Sequence, residues 1–501
     1  MNFLKTTAVH PLFLIINLAL SIAYFIFIAF LFPIGNPILF GLLILGEVFH
    51  LWQVFGYIHS VWPRRRTKQF DQTFAPEVAV YITVTGEPED IVEETVKAAT
   101  AMQYPNFNVY ILNDGYVAKR DNWREAEVLA KKYNITCLTR KKPGGAKAGN
   151  INHALSKTKE PFVVVFDADH IPVPQFLNKM MGYFVDPRVG FVQSPQYYKN
   201  FEENLVTGGA WEQQELFFGA IAKGKDGSNS AFMCGTNMAI RRTTLEEVGG
   251  MSEFSIAEDF LTSLLVHQKK WKSVYVDEVL AEGLAPEDFL SYYKQQFRWA
   301  RGSLEVVFKY NPLFRRGLTF SQRVQYLSSA SFYMSGLIVF LNAILPLIYF
   351  YAGIEPLAIG TMTLALIFIP YIFVVLYTIQ LTSNFSYTFR ALSFSLSSFP
   401  IHLKAIWQII IRKKSGFVVT SKKAVSGNHG YLVTPHLVYI ALVAFGIIIG
   451  YLREGLSPSI LSNIAWSLVY VAVFVPFITA AFQKVTAGDA IPLHPKEKGE
   501  L

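Results

Sequence analysis

The stretch Phe162-Val163-Val164-Val165-Phe166-Asp167-Ala168-Asp169 decides the class of the folded domain. Five consecutive apolar residues predict a strand that is buried on both faces, and two carboxylates follow at its end. Strands are predicted at Val78–Val84, Asn108–Asn113, Phe162–Phe166, Gly190–Gln193, Met238–Arg241 and Ser273–Val276, and helices at 89–103, 121–133, 147–157 and 174–184. The alternation predicts an α/β sheet with helices on both faces, whose ligands bind outside the carboxyl ends of the strands.

The rest of the chain is too apolar for an ordinary soluble protein of 501 residues. Hydrophobic residues make up 52% and charged residues 16%, against a typical ~25% charged. Such a composition excludes a disordered chain, and only two cysteines, Cys137 and Cys234, exclude a disulfide scaffold. Six stretches reach the about 20 apolar residues that span a bilayer. They lie at 11–32, 36–58, 327–351, 354–382, 434–452 and 458–482.

Positive charge is concentrated in two of the connections between these stretches. Arg64, Arg65, Arg66 and Lys68 follow the second stretch, and the 383–432 connection is also rich in Lys and Arg. The short loops 33–36 and 352–355 carry none. The positive-inside rule therefore predicts a multi-pass protein of the cell (inner) membrane with the large domain and both termini in the cytoplasm. Much of the net charge of +8 is then topological, which argues against nucleic acid as a partner.

This layout predicts the domain organisation. We expect two transmembrane helices in 1–62, a cytoplasmic α/β domain ending in interfacial helices in 63–320, two transmembrane helices in 321–382, an interfacial helix and loop in 383–432, two transmembrane helices in 433–482 and a cytoplasmic tail in 483–501. The stretch 383–413 is apolar but interrupted by charge, so we expect an amphipathic helix in the interface rather than a seventh span.

The two aspartates after the central strand can bind a metal. Asp167 and Asp169 can hold Mg²⁺ or Mn²⁺ through oxygen, and such a cation neutralises substrate phosphates. Alone, this short motif is a weak signal, since Asp-x-Asp is common and more often marks a solvated turn. Farther along, Gln295, Arg298 and Trp299 fall at i, i+3 and i+4, so on a helix they share one face. That face would offer an amide, a guanidinium suited to phosphate and an aromatic surface for a sugar or a base.

Taken together, these motifs resemble those of the processive family 2 glycosyltransferases, which include cellulose, chitin and hyaluronan synthases. The family pattern consists of spaced aspartates, here Asp114, the Asp167/Asp169 pair and Asp259, followed at a fixed interval by Gln-(Arg or Gln)-x-Arg-Trp, here 295–299. Lys147-Ala148-Gly149-Asn150 is similar to the family's nucleotide loop, and Cys234-Gly235-Thr236-Asn237 to its acceptor segment.

A further segment resembles one branch of that family. Phe417-Val418-Val419-Thr420-Ser421-Lys422 is similar to the gating loop of bacterial cellulose synthase, in which Phe417, Thr420 and Lys422 occupy the motif positions. The resemblance favours a cellulose synthase-like β-glucan synthase that uses UDP-glucose. The C-terminal tail lacks the cyclic di-GMP-binding motifs that many cellulose synthases carry, so curdlan-like, mixed-linkage and mannan synthases stay open.

The resemblance implies a multi-pass helical membrane protein with a cytoplasmic GT-A domain that performs inverting transfer to a growing polysaccharide and exports the polymer. Asp259 would be the general base, and Asp167 and Asp169 would bind the metal. Nucleotide-sugar contacts would come from Glu87, Asp114, Lys147, Asp167, Gln295, Arg298 and Trp299. Cys234 and Trp299 would meet the acceptor.

Alternatives to UDP-glucose remain open at this point. GDP-mannose would give mannan and UDP-N-acetylglucosamine a chitin-like polymer. A non-processive enzyme acting on a lipid carrier, or a channel or receptor that only binds nucleotide, fits the motifs less well. Accessory export subunits are possible partners. Glu47 and His50, on one face of the second apolar stretch, could line an export path or lock helices together.

Overall fold

The computed structural model describes residues 9–413 and 427–483. Its main sheet has seven strands in the order β3-β2-β1-β4-β8-β6-β9. They are β1 Val78–Val84, β2 Phe107–Asn113, β3 Thr136–Thr139, β4 Phe162–Asp167, β6 Val189–Gln193, β8 Met238–Arg241 and β9 Lys272–Tyr275. Three short strands, β5 Ile171–Pro172, β7 Tyr197–Tyr198 and β10 Ala281–Gly283, form a second sheet beside it. All six predicted strands are present; β3 and the second sheet were not predicted.

The described helices flank this sheet and extend beyond it. They are α1 Pro11–Ile26, α2 Pro37–Val61, α3 Glu89–Thr100, α4 Glu125–Lys132, α5 Ala146–Leu155, α6 Phe176–Met181, α7 Leu205–Leu216, α8 Ala222–Gly227, α9 Arg242–Val248, α10 Glu258–Gln268, α11 Phe289–Tyr310, α12 Phe320–Ser331, α13 Ser335–Ala352, α14 Thr361–Thr382, α15 Phe389–Ser397, α16 Phe399–Ile410, α17 Thr434–Glu454 and α18 Pro458–Phe482.

Two apolar cores cover the two faces of the sheet, as the unbroken apolar strands require. Along β1, Val78 and Val80 face a core that includes side chains of α3, α4 and α6. The alternate residues Ala79 and Tyr81 face a second core that includes side chains of α5, α9 and α10. This pattern follows from the two-residue period of a strand. The predicted α/β fold with helices on both faces is confirmed.

The sheet register brings the predicted site residues to one edge. β1 is parallel to both neighbours, with Val84 opposite Asn113 and Thr83 opposite Asp167. The residues after these three strands therefore meet at their common carboxyl edge. β8 runs antiparallel to β4, with Met238 opposite Val165. The segment before β8, which includes Cys234, consequently reaches the same edge, although it precedes its strand.

Six helical segments are long and apolar enough to cross a membrane. They are Pro11–Leu31, Pro37–Val61, Phe320–Ala352, Met362–Thr382, Gly430–Glu454 and Pro458–Phe482. They correspond to the six predicted stretches and confirm a multi-pass helical protein. α15 and α16 are not among the candidate spans of the described residues. The prediction that this stretch lies in the interface is consistent with their separation by Ser398 but stays a prediction.

Candidate active site

Three side chains and one glycine converge at the carboxyl edge of the sheet. Lys147, at the start of α5, donates a hydrogen bond to the Asp167 carboxylate and another, of 2.8 Å, to the Gly235 carbonyl. A Cβ on Gly235 would lie 3.1 Å from Asp259 Oδ2 and 3.6 Å from Lys147 Nζ. Gly235 has a positive φ of 83°. Glycine thus allows the backbone to pass between the base candidate and the lysine.

The two aspartates form a candidate metal site together with a residue that the sequence reasoning missed. Ligand atoms of Asp167, Asp169 and His170 all lie within 4.8 Å of one another. Asp169 Oδ1 is 3.4 Å from His170 Nδ1, and Asp169 Oδ2 accepts a 3.2 Å hydrogen bond from the Leu284 amide. Neither ring nitrogen of the buried His170 has a hydrogen-bond partner among the described residues. Two carboxylates and an imidazole that retains its donor capacity fit a divalent cation.

The missed histidine had a signal in the sequence, since it follows the aspartate pair directly. An isolated histidine at a strand end more often packs in a core, so position alone did not identify it. The structure favours the ligand role, because the His170 ring makes no hydrogen bond within 9–413 and 427–483 although its side chain is almost completely buried. A Cβ on Gly283 would lie 2.6 Å from this ring, so the second sheet holds the imidazole beside Asp169.

Asp259 and Glu258 begin α10; Glu258 is buried and Asp259 is half-buried. Burial raises the pKa of Asp259, while the Phe260 amide and the charges of Lys147 and Arg298 oppose that shift. Burial and the neighbouring Asp259 charge raise the pKa of Glu258 to about 7. Asp259 Oδ1 accepts a 2.7 Å hydrogen bond from the Phe260 amide, which fixes the side chain in the first turn. This carboxylate can therefore act as a base in a dry, positively charged setting.

The predicted face of α11 is turned toward the acidic groups. Gln295 is buried, and its side chain is hydrogen-bonded to the hydroxyl of the buried Tyr198. Arg298, half-buried, lies close enough for its charge to oppose the raised pKa of Asp259. Trp299 is half-buried next to it. Tyr198, on β7, was not predicted; it also lies within electrostatic range of Asp169 and so connects the two halves of the site.

The nucleotide end of the predicted site is built around a buried ion pair. Asp114 accepts hydrogen bonds of 2.7 Å and 2.6 Å from Nε and Nη2 of Arg140, and both side chains are almost fully buried. Arg140 follows β3, which was not predicted, so this partner was missed. Glu87 accepts a hydrogen bond from the Thr85 amide. A small pocket lies alongside, with Glu87 and Trp123 in its lining.

The remaining predicted residues fall into two groups. Cys234 is near Asp259, whose charge, after burial, is the next cause that raises the pKa of the thiol. Cys234 therefore lies near the candidate base, and its predicted contact with the acceptor stays a prediction. The gating-loop residues Phe417, Thr420 and Lys422 lie outside the described residues, so their position relative to the site is not part of this geometry.

Comparison with known proteins identifies the class of this site. Residues 76–302 match the glycosyltransferase-like family 2, and residues 246–431 match the cellulose synthase family. The predicted resemblance to family 2 glycosyltransferases is confirmed for residues 76–302. The match to the cellulose synthase family overlaps and follows this region, and it includes Asp259 and the 295–299 motif.

The most similar relatives considered are cellulose synthase catalytic subunits, described as UDP-forming. The one from Pseudomonas fluorescens (strain SBW25) is 31% identical over 437 residues, which is 83% of this chain and 58% of the relative. The one from Xanthomonas axonopodis pv. citri (strain 306) is 37% identical over 293 residues, or 56% of this chain and 39% of the relative. Cellulose synthase 1 catalytic subunit of Komagataeibacter xylinus is 30% identical over 431 residues, or 81% and 56%. The chain therefore spans about half the length of these relatives.

Proposed function

We propose that this protein is a processive inverting glycosyltransferase that polymerises a β-glucan from UDP-glucose and passes the polymer through its membrane domain. The observation that carries the proposal is the convergence of Lys147, Asp167 and Asp259 around Gly235. The Lys147 ammonium and the carboxylates of Asp167 and Asp259 all lie within a few ångströms of this backbone segment. A positive charge, a carboxylate that can bind a metal and a base in one place suit transfer from a nucleotide diphosphate sugar. The relatives, UDP-forming cellulose synthase subunits, supply the choice of donor.

In this proposal Asp259 removes the proton from an acceptor hydroxyl. The acceptor oxygen forms a bond to C1 of the donor sugar from the face opposite the diphosphate, and the C1–O bond to the diphosphate breaks. UDP leaves with the bonding electrons, and Lys147 and Arg298 stabilise its charge. The residues Asp167, Asp169 and His170 would hold Mg²⁺ or Mn²⁺, which supplies charge neutralisation at the diphosphate when bound.

Binding roles follow from where the remaining side chains lie. Cys234 would contact the acceptor end, because it lies within electrostatic range of Asp259, and Trp299 would contact it from the position after Arg298 on α11. Glu87 and Asp114 would contact the uridine. Arg140 already donates a hydrogen bond to each carboxylate oxygen of Asp114. Asp114 can therefore accept hydrogen bonds from the uridine only through the remaining lone pairs of these oxygens. Gln295 would add an amide beside the diphosphate.

The membrane domain offers polar groups for a sugar polymer. Glu47, in the second candidate span, accepts a 3.4 Å hydrogen bond from the Tyr24 hydroxyl and lies 3.5 Å from His50 Nδ1. Glu47 is buried, whereas the His50 side chain is 38% exposed within the described chain. Ionisable groups inside a membrane are costly unless they serve a path or pair with each other. We propose that His50 faces the export path. We also propose that the catalytic domain lies in the cytoplasm of the producing cell.

The test uses purified protein in nanodiscs with Mg²⁺ and, in parallel, Mn²⁺. UDP-glucose, UDP-N-acetylglucosamine and GDP-mannose are supplied separately, nucleotide release is measured, and any polymer is digested with linkage-specific glucanases. We expect UDP release from UDP-glucose alone together with a glucanase-sensitive polymer. Polymer from another donor would retain the mechanism but refute the substrate. A single sugar added to a lipid would refute processivity, and binding of nucleotide without release would refute the enzyme.

A further inference from the structure

Outside the reacting groups, the most unusual side chain of the described α/β domain is a fully buried lysine. Lys225, on α8, is 1% exposed. Its ammonium donates hydrogen bonds to Gln325 Oε1 at 2.6 Å, to Ser329 Oγ at 2.8 Å and to the Gln325 carbonyl at 3.2 Å. No carboxylate forms a salt bridge with it among the described residues. Lysine is almost never buried in this way without a specific role.

The partners of this lysine belong to the start of the third candidate span. Gln325 and Ser329 lie on α12, and Gln325 Oε1 also accepts a 2.8 Å hydrogen bond from Ser60 at the end of the second span. Gly224 of α8 is so close to this end that an added Cβ would lie 1.6 Å from the Ser60 carbonyl oxygen. α8 is therefore anchored to two membrane helices by polar contacts and close backbone packing.

On its other side the ammonium faces the acceptor segment. Lys225 Nζ lies 5.4 Å from the centre of the Phe232 ring, within the range of a cation–π contact. Phe232 is two residues before Cys234, and its ring contacts Phe260 edge-on with centroids 4.9 Å apart. Phe260 directly follows Asp259. The Phe232 ring thus lies between the buried lysine and Phe260, the residue that follows the base.

A chain of hydrogen bonds connects the same segment to the base. The Met233 amide donates a 2.8 Å hydrogen bond to Ser263 Oγ, and Ser263 Oγ donates a 2.7 Å hydrogen bond to the Asp259 carbonyl. α12 contributes here as well, because the Tyr326 hydroxyl is 2.7 Å from Nδ1 of His267 on α10. Two adjacent residues of α12 therefore contact both parts of the site. Gln325 binds Lys225, which faces the acceptor segment, and Tyr326 binds His267 of the catalytic helix α10.

We propose that Lys225 is a positioning residue that holds the acceptor segment against the catalytic helix, so that the donor sugar is transferred to the polymer end rather than to water. The inference rests on the proposed transferase function. When the segment moves, water replaces the acceptor: its oxygen bonds to C1, the C1–O bond to the diphosphate breaks, and its proton passes to Asp259. Free sugar and nucleoside diphosphate are then released. Misplacement by about 1 Å costs about 10²-fold in rate, whereas a mobile water tolerates it.

The experiment measures polymer, free sugar and nucleotide release from the same reaction in nanodiscs, using the donor that the wild type accepts. Lys225→Met removes the charge at similar length. We expect polymer formation to fall by about 10²-fold, with the KM for donor unchanged and with the share of donor converted to free sugar increased severalfold. The matched control is Lys223→Met, because Lys223 lies on the same helix but is half exposed and paired with Asp277.

Two further variants separate positioning from folding. Lys225→Met leaves Gln325 Oε1 without the lysine donor, so the pair Lys225→Met/Gln325→Leu should regain thermal stability but not polymer formation. Phe232→Leu leaves the lysine in place, removes the ring that it faces and should raise free sugar in the same way. Normal polymer formation by the folded double variant would refute the inference, as would equal loss of polymer and free-sugar release. If the wild type releases no nucleotide from any donor, the proposed function fails first.

Discussion

The sharpest prediction tests which of two adjacent carboxylates, Asp259 or Glu258, is the general base. Asp259→Asn should abolish transfer while leaving the donor bound. The amide has nearly the same volume, and its oxygen can still accept the Phe260 hydrogen bond of 2.7 Å, so the first turn of α10 should persist. What is lost is the proton acceptor beside Gly235. General-base catalysis contributes about 10²- to 10⁴-fold, and a loss of about 10³-fold corresponds to about 4 kcal/mol in the activation barrier.

The assay compares kcat for polymer formation with the Kd for UDP, measured on the same nanodisc preparation. We expect kcat to fall and the Kd to stay within about twofold, since a group that acts in the transition state contributes little to ground-state binding. Glu258→Gln is the matched control. It removes the neighbouring carboxyl at similar volume, and because the charge of Glu258 is not among the causes that shift the pKa of Asp259, the pKa of Asp259 should change little in this variant.

The pH profiles make the two variants distinguishable. A base must be ionised, so activity is present above the pKa of Asp259 and is lost as pH falls through it. In Glu258→Gln the acid limb should stay in place with kcat largely retained, because Asp259 ionises while Glu258, whose pKa is about 7, is still protonated. If Glu258→Gln were inactive and Asp259→Asn polymerised within about tenfold of the wild type, far less than a base contributes, the assignment of the base would be wrong and Glu258 would take the role.

Three other predictions test separate parts of the site. Chelation should stop turnover and Mg²⁺ or Mn²⁺ should restore it, and His170→Ala should raise the cation concentration for half-maximal activity at least as much as the about tenfold that supporting residues cost. Arg140→Met leaves Asp114 buried without its partner and should lower the free energy of unfolding by about 3–5 kcal/mol. The double variant Arg140→Met/Asp114→Leu should recover most of this free energy. Because the pKa of Glu258 is raised to about 7, thermal stability should fall as pH rises from about 5 to about 8, and Glu258→Gln should flatten this dependence.

Much of the fold was predictable because its signals are local. Unbroken apolar strands such as Phe162–Phe166 and long apolar helices carry their burial in their composition. β8 was predicted as a strand but its antiparallel direction was not, and the short β3 was missed. Thr136–Thr139 is four residues long and only partly buried, so its sequence has little periodicity. With β3 missing, nothing placed Arg140 beside Asp114, since that contact depends on the pairing of β3 with β2.

The site was predictable where motifs share an edge and unpredictable where it depends on distant packing. Parallel strand ends explain why Asp114 and Asp167 lie at the same edge. Lys225 is different, because its partners Gln325 and Ser329 are about a hundred residues away and on another helix. In the sequence it is one more lysine in a polar stretch. Only the packing of α8 on α12 shows that its charge is buried and directed at the acceptor segment.

The fixed interval between Asp259 and the 295–299 motif also has a structural explanation. After Asp259 the chain completes α10, returns through β9 and β10, and enters α11. α11 then lies against the residue before the catalytic pair: a Cβ on Gly302 would lie 2.7 Å from the Cβ of Ala257. This contact sets the separation of the two helices, and hence the distance from Asp259 to Arg298. The interval corresponds to the residues that form the rest of α10, β9, β10 and the start of α11, after which the face with Gln295, Arg298 and Trp299 lies near Asp259.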